Sequence, residues 1–163
     1  MSVHAVDPAP VVALVEAWTS RIAVDNPVVT NVERAPDLDR WYVRIRGEEK
    51  TVTTVWITVR EMTLQYESYF MPAPEENIAA CYEYLLRANT RLFGMRFSIG
   101  GEDAVYLTGQ LPFSALTGPD AEDELDRILG AVYAYSEDCF RTAMSIGFGS
   151  RFRHRPAPTP PPS

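Results

Sequence analysis

Apolar residues recur near the start of the chain at steps of three and four. Val11, Leu14, Val15, Trp18 and Ile22 share one side of a 3.6-residue spiral, which predicts a helix from Pro8 to about Val24. Asp7 stands where an N-cap belongs, with proline at the first helical position. Asp25-Asn26-Pro27 stops the pattern. The period then changes to two. Trp41, Val43 and Ile45 alternate with Tyr42, Arg44 and Arg46, and Gly47-Glu48-Glu49 turns the chain. Over Thr51–Val59, Val55, Ile57 and Val59 alternate with Thr54, Trp56 and Thr58. Over Leu64–Phe70, Leu64, Tyr66 and Phe70 oppose Gln65, Glu67 and Tyr69. Short connections and one apolar face per run predict an antiparallel meander.

Helical spacing returns from Pro74 to about Phe93, with Ile78, Cys81, Tyr82, Leu85, Leu86 and Leu92 as its stripe. Glu75 and Glu76 suit the positive end of that helix, and Gly94 its C-terminal stop. Two strands follow, Met95–Ile99 and Ala104–Leu111, joined by Gly100-Gly101-Glu102-Asp103. Pro119, Asp120, Glu122 and Asp123 open a last helix reaching about Ile146. On its surface Asp123 with Arg127 and Glu137 with Arg141 have i,i+4 spacing. The predicted order is α-β-β-β-α-β-β-α, an α+β domain whose five-stranded antiparallel sheet carries helices on one face. It occupies residues 1–149. Residues 150–163 form a basic, proline-rich tail with nothing to bury from Pro156 on, expected as a solvated, disordered or polyproline-like extension.

A chain of 163 residues with 46% hydrophobic and 23% charged positions can bury a core without disulfides or a structural metal. No apolar run approaches the roughly 20 residues of a membrane span, and the N-terminus has no basic stretch followed by an apolar one. The expectation is a cytoplasmic protein. Its formal charge is −7, and Arg151, Arg153 and Arg155 sit in the tail, so the body is more acidic still. No basic patch is expected outside the tail, which argues against nucleic acid as a partner. Cys81 and Cys139, each among apolar neighbours in a predicted helix, are expected to be free structural thiols.

Four stretches resemble the YbjN family, the bacterial sensory transduction regulators: Tyr84-Leu85-Leu86-Arg87-Ala88-Asn89, Arg96-Phe97-Ser98-Ile99, Tyr106-Leu107-Thr108-Gly109 and Leu125-Asp126-Arg127-Ile128-Leu129-Gly130. The closing Gly147-Phe148 fits as well, so the resemblance runs from about Trp41 to Phe148. It implies a type III secretion chaperone-like fold. Chaperones of that fold are small acidic homodimers that hold an extended client segment. The resemblance supplies no catalytic residue to carry over.

The chemistry available is narrow. The two histidines, His4 and His154, lie in the terminal segments, which removes the commonest general base and metal ligand from the body. Two thiols are too few for a cysteine zinc site, and the glycines at 100–101 and 147–149 match no phosphate-loop frame. Lys50, the single lysine, is expected solvated at a turn. Glu122, Asp123, Glu124 and Asp126 are expected to be solvated acids favouring a helix start, and Glu61 and Glu67 to pair with Arg44 or Arg46 across the sheet. No catalytic residue, metal site or cofactor is expected. What is left is the sheet's second face, where Tyr42, Arg44, Arg46, Trp56, Gln65, Glu67, Tyr69, Arg96 and Tyr106 have an interface-like composition. Tyr42, Arg44, Arg46, Trp56, Tyr69, Arg96 and Tyr106 are the candidate binding residues, for a protein partner or a homodimer mate. The alternative is a ligand-sensing regulatory domain with a small-molecule pocket between helices and sheet.

Overall fold

The computed structural model describes residues 6–153. Its elements are α1 (Ala9–Asp25), β1 (Val29–Arg34), β2 (Arg40–Arg46), β3 (Val52–Val59), β4 (Thr63–Met71), α2 (Ile78–Ala88), β5 (Arg96–Ile99), β6 (Val105–Pro112), α3 (Ala121–Gly147) and the short α4 (Gly149–Arg153). The sheet has six strands, in the order β1-β2-β3-β4-β6-β5, and every neighbouring pair is antiparallel. The five-strand expectation missed β1. Its sequence, Val-Thr-Asn-Val-Glu-Arg, half-buries only Val29 and Val32, and the register shifts between Val29 and Asn31. An irregular edge strand buries no continuous face, so it carries no period-2 signal.

The alternation of β2, β3 and β4 is realised. Trp41, Val43, Ile45, Val55, Ile57, Leu64, Tyr66 and Phe70 are buried to 2% exposure or less. They meet the helices in one core: α3 lies against β3 and β4, α2 packs on α3, and α1 bridges β1 and α3. Phe70 touches both Phe97 of β5 and Phe140 of α3, at centroid distances of 4.8 and 5.8 Å.

Helix α2 is shorter than its apolar stripe predicts. Asn77, in the left-handed region at φ 48°, breaks the chain before Ile78. Instead of opening α2, Glu75 and Glu76 donate their backbone N–H groups to the carbonyl of Gly147 at 3.0 Å each. At the far end the Asn89 side chain accepts from the N–H of Phe97 (2.7 Å) and donates to its carbonyl (3.2 Å), which draws the chain off towards β5. Gly94, at φ +75°, completes that turn.

The expected surface ion pairs also rearrange. Arg127 pairs with Glu124 (2.9 Å), not Asp123. Glu137 accepts the backbone N–H groups of Glu48, Glu49 and Lys50 at 3.1, 2.8 and 3.3 Å, so α3 caps the β2–β3 turn. A Cβ on Gly47 would lie 2.0 Å from that carboxylate, which is why glycine stands there. Arg141 reaches Glu49 instead, at 3.8 Å. The acids at the start of α3 are engaged and not merely solvated: Glu122 and Asp126 hold Arg21 of α1, and Asp126 accepts from the indole N–H of buried Trp18 at 2.9 Å. Lys50 is half-buried; its ammonium donates to the Val52 carbonyl at 2.8 Å over the Phe140 ring, and desolvation lowers its pKa. Beyond α3, Ser150 and Arg151 of α4 bind Glu76 and Glu75. Residues 154–163 of the expected tail lie outside the described residues, as do His4 and His154.

Candidate functional site

Away from the helices the sheet presents its second face. Register aligns Glu33, Tyr42, Trp56, Glu67, Thr108 and Arg96 as successive partners, one per strand from β1 to β5. None of the six is buried; Trp56 is 40% exposed. Tyr42 packs edge-on to Trp56, and Tyr69 edge-on to its partner Tyr106, both at 5.6 Å between centroids. T-shaped aromatic pairs of this kind contribute about 0.5–1.5 kcal/mol beyond their buried area.

Two shallow depressions lie side by side on this face. The first, of about 380 Å³, is lined chiefly by Trp56, Tyr69, Tyr106, Ser98 and the Gly100-Gly101 turn. A side chain at Gly100 would meet the Tyr106 ring at 2.6 Å, so the turn must stay bare. The second, of about 330 Å³, gathers Arg40, Arg60 and Arg96 around Thr58, Gln65 and Gln110. Trp56, Glu67 and Thr108 border both.

The candidate residues therefore divide. Trp56, Tyr69 and Tyr106 share the first depression, with Tyr42 buttressing Trp56. Arg96 lines the second. Arg44 and Arg46 line neither depression; they lie exposed on β2, opposite Thr54 and Val52. Glu61 and Glu67 do not pair with them among the described residues, because register sets Glu67 against Trp56 and Thr108 and leaves Glu61 in the β3–β4 turn.

Two members of this surface escaped the sequence reading. Arg40 stands at the first position of β2, its guanidinium 5.3 Å from the Trp56 ring centroid and its Nε donating to Thr58 Oγ1 at 2.9 Å. Arg60 follows β3 and donates to Gln65 Oε1 at 3.0 Å. Alternation from Tyr42 would have found Arg40; Arg60 lies in a turn, where period carries no signal. Together with Arg96 they line one depression, a local gathering of three arginines outside the tail that the sequence reading did not anticipate.

Other chemistry is sparse among the described residues. They include no histidine, and no three His, Cys, Asp or Glu side chains converge as a metal site requires. Cys81 and Cys139 are free and buried, and burial raises both thiol pKa values, the reverse of an activated nucleophile. No described helix is long and apolar enough to cross a membrane. A third, apolar depression of about 200 Å³ lies between α2 and the β5 edge, lined by Tyr82, Leu85, Leu86, Phe97, Ile99 and Val105.

A six-stranded antiparallel sheet backed by helices on one face defines a mixed α+β domain. The chain belongs to the YbjN family ("Putative bacterial sensory transduction regulator"), whose profile it matches over residues 12–143. It is 34% identical over 108 residues to uncharacterized proteins of Mycobacterium tuberculosis and Mycobacterium bovis, an overlap covering 66% of this chain and 57% of theirs. An uncharacterized protein of Mycobacterium leprae is 31% identical over 116 residues, 71% of this chain and 61% of the relative. The match thus spans less than two thirds of the relatives' own length.

Proposed function

We propose that this protein is a non-enzymatic binding module that regulates another protein, an adaptor in the broad sense that the chaperone-like resemblance implies, and that its outer sheet face is the contact surface. The observation that carries this reading is the unbroken row from Tyr42 through Trp56 to Arg96, flanked by the Tyr69–Tyr106 pair, on a face that no helix among the described residues covers. Solvent-facing aromatics beside arginines supply contact area at low entropic cost and are enriched where interfaces derive their energy. The family description as a regulator agrees with a protein partner. A cytoplasmic setting suits the two free buried thiols.

Affinity capture with the full chain, followed by Trp56→Ala and Tyr106→Ala, tests the reading. A partner held by the wild type is expected to lose about 2 kcal/mol of binding in either variant, the range of interface hot spots. A partner retained equally by both would remove the face from consideration. If the mate is a second copy, light scattering will show a dimer that the same substitutions dissociate.

The second reading, a ligand-sensing regulatory domain, draws on the apolar depression between α2 and β5. At about 200 Å³ it falls below the roughly 300 Å³ at which small-molecule sites begin, so it suits only a small apolar group. A thermal-shift screen distinguishes this case, because a ligand of the folded state raises its melting temperature.

A further inference from the structure

Arg21, Arg34, Arg87, Arg127, Arg141 and Arg151 each pair with a carboxylate. On the outer sheet face the pattern reverses. Arg40, Arg60 and Arg96 converge on one depression with no ion pair among the described residues, although the chain as a whole carries seven more acids than bases. Arg40 and Arg60 are oriented by neutral acceptors, Thr58 and Gln65, which fix the guanidinium groups without neutralising them. Only Glu67 among the lining residues is acidic, and it sits on the border with the aromatic depression.

We infer that the Arg40–Arg60–Arg96 depression is a carboxylate-recognition subsite, and that the partner's contact is a segment placing an acidic side chain there beside an apolar or aromatic one over Trp56, Tyr69 and Tyr106. This deepens the protein-binding reading and rests on it. Guanidinium groups match carboxylates in a planar, bidentate geometry that amide and hydroxyl neighbours do not satisfy. Glu67 borders both depressions and repels an incoming carboxylate in either, so only the three guanidinium groups of the second can hold one. A short acidic protein segment fits better than a nucleic acid. A chain of net charge −7 repels a phosphate backbone, charged at every nucleotide, more than a short segment with one or two acids, and the aromatic rings stand edge-on to one another with a guanidinium over Trp56, not as a free stacking platform.

The test is selection from a random displayed-peptide library with the full-length chain, repeated with the Arg60→Gln/Arg96→Gln variant. Both arginines are exposed, so the fold is expected to persist, checked by an unchanged urea midpoint. Wild-type protein is expected to select peptides enriched in Asp and Glu next to an apolar residue. Their affinity should fall with added salt and drop about two- to fivefold per arginine removed. Selected peptides without acidic enrichment, yet lost with Trp56→Ala, would overturn this inference while leaving the binding face intact. Failure to select any peptide counts against both. Tighter, arginine-dependent binding of a single-stranded oligonucleotide, or a salt-sensitive dimer that Arg96→Gln dissociates, would assign the subsite to a different occupant and sink the proposal.

Discussion

Ser136 lies on α3 at 2% exposure, and its hydroxyl has no hydrogen-bond partner among the described residues. An orphaned buried hydroxyl costs stability, and alanine is also the better helix former. Ser136→Ala is therefore expected to raise stability by about 1 kcal/mol, read as a higher urea midpoint at unchanged slope; a lower midpoint would mean the hydroxyl has a partner. Helical spacing puts Ser136 on one stripe with Leu125, Ile128, Leu129, Val132 and Cys139, so its burial is legible in the sequence, but what its hydroxyl meets is not. The same holds for Arg40 and Arg60. Each looks like an ordinary solvated arginine, and only the fold shows that their acceptors are neutral and that neither forms an ion pair among the described residues.

At the scale of elements, α1 is fastened to α3 through Trp18. Its indole N–H donates to Asp126, which also holds Arg21. Asp126→Ala would leave a buried donor unpaired and is expected to cost about 1–3 kcal/mol, whereas Glu122→Ala, which loses only an exposed pair, should stay within about 0.5 kcal/mol. Equal losses in denaturant titrations would show that the indole bond contributes nothing. Long, strongly periodic elements such as α1, α3 and the three central strands were legible to within a residue or two. Helix α2 was not. Pro74, Glu75 and Glu76 suggest an earlier start and the apolar stripe runs on to Leu92, but Asn77 at a left-handed angle and the Asn89–Phe97 bonds confine the helix to Ile78–Ala88. Hydrogen bonds to another element overrule local period.

For the whole molecule, sheet order sets where stability resides. β3 and β4 are central, covered by α3 on one face, while β1 and β5 are the edges. Amide exchange is expected to be slowest in β3 and β4 and fastest in β1, whose side chains are largely exposed; equal protection in β1 would point to something covering that edge. By itself the sequence determined the α+β class, the inward and outward sides of β2, β3 and β4, the thiols' burial and the aromatic part of the outer surface, because alternation is written within single segments. Tertiary structure alone decided the sixth strand, the two depressions, the gathering of Arg40, Arg60 and Arg96, and which acids meet which bases. Those depend on register between strands distant in the chain, and side chains a few ångströms apart across a sheet leave no trace in local spacing.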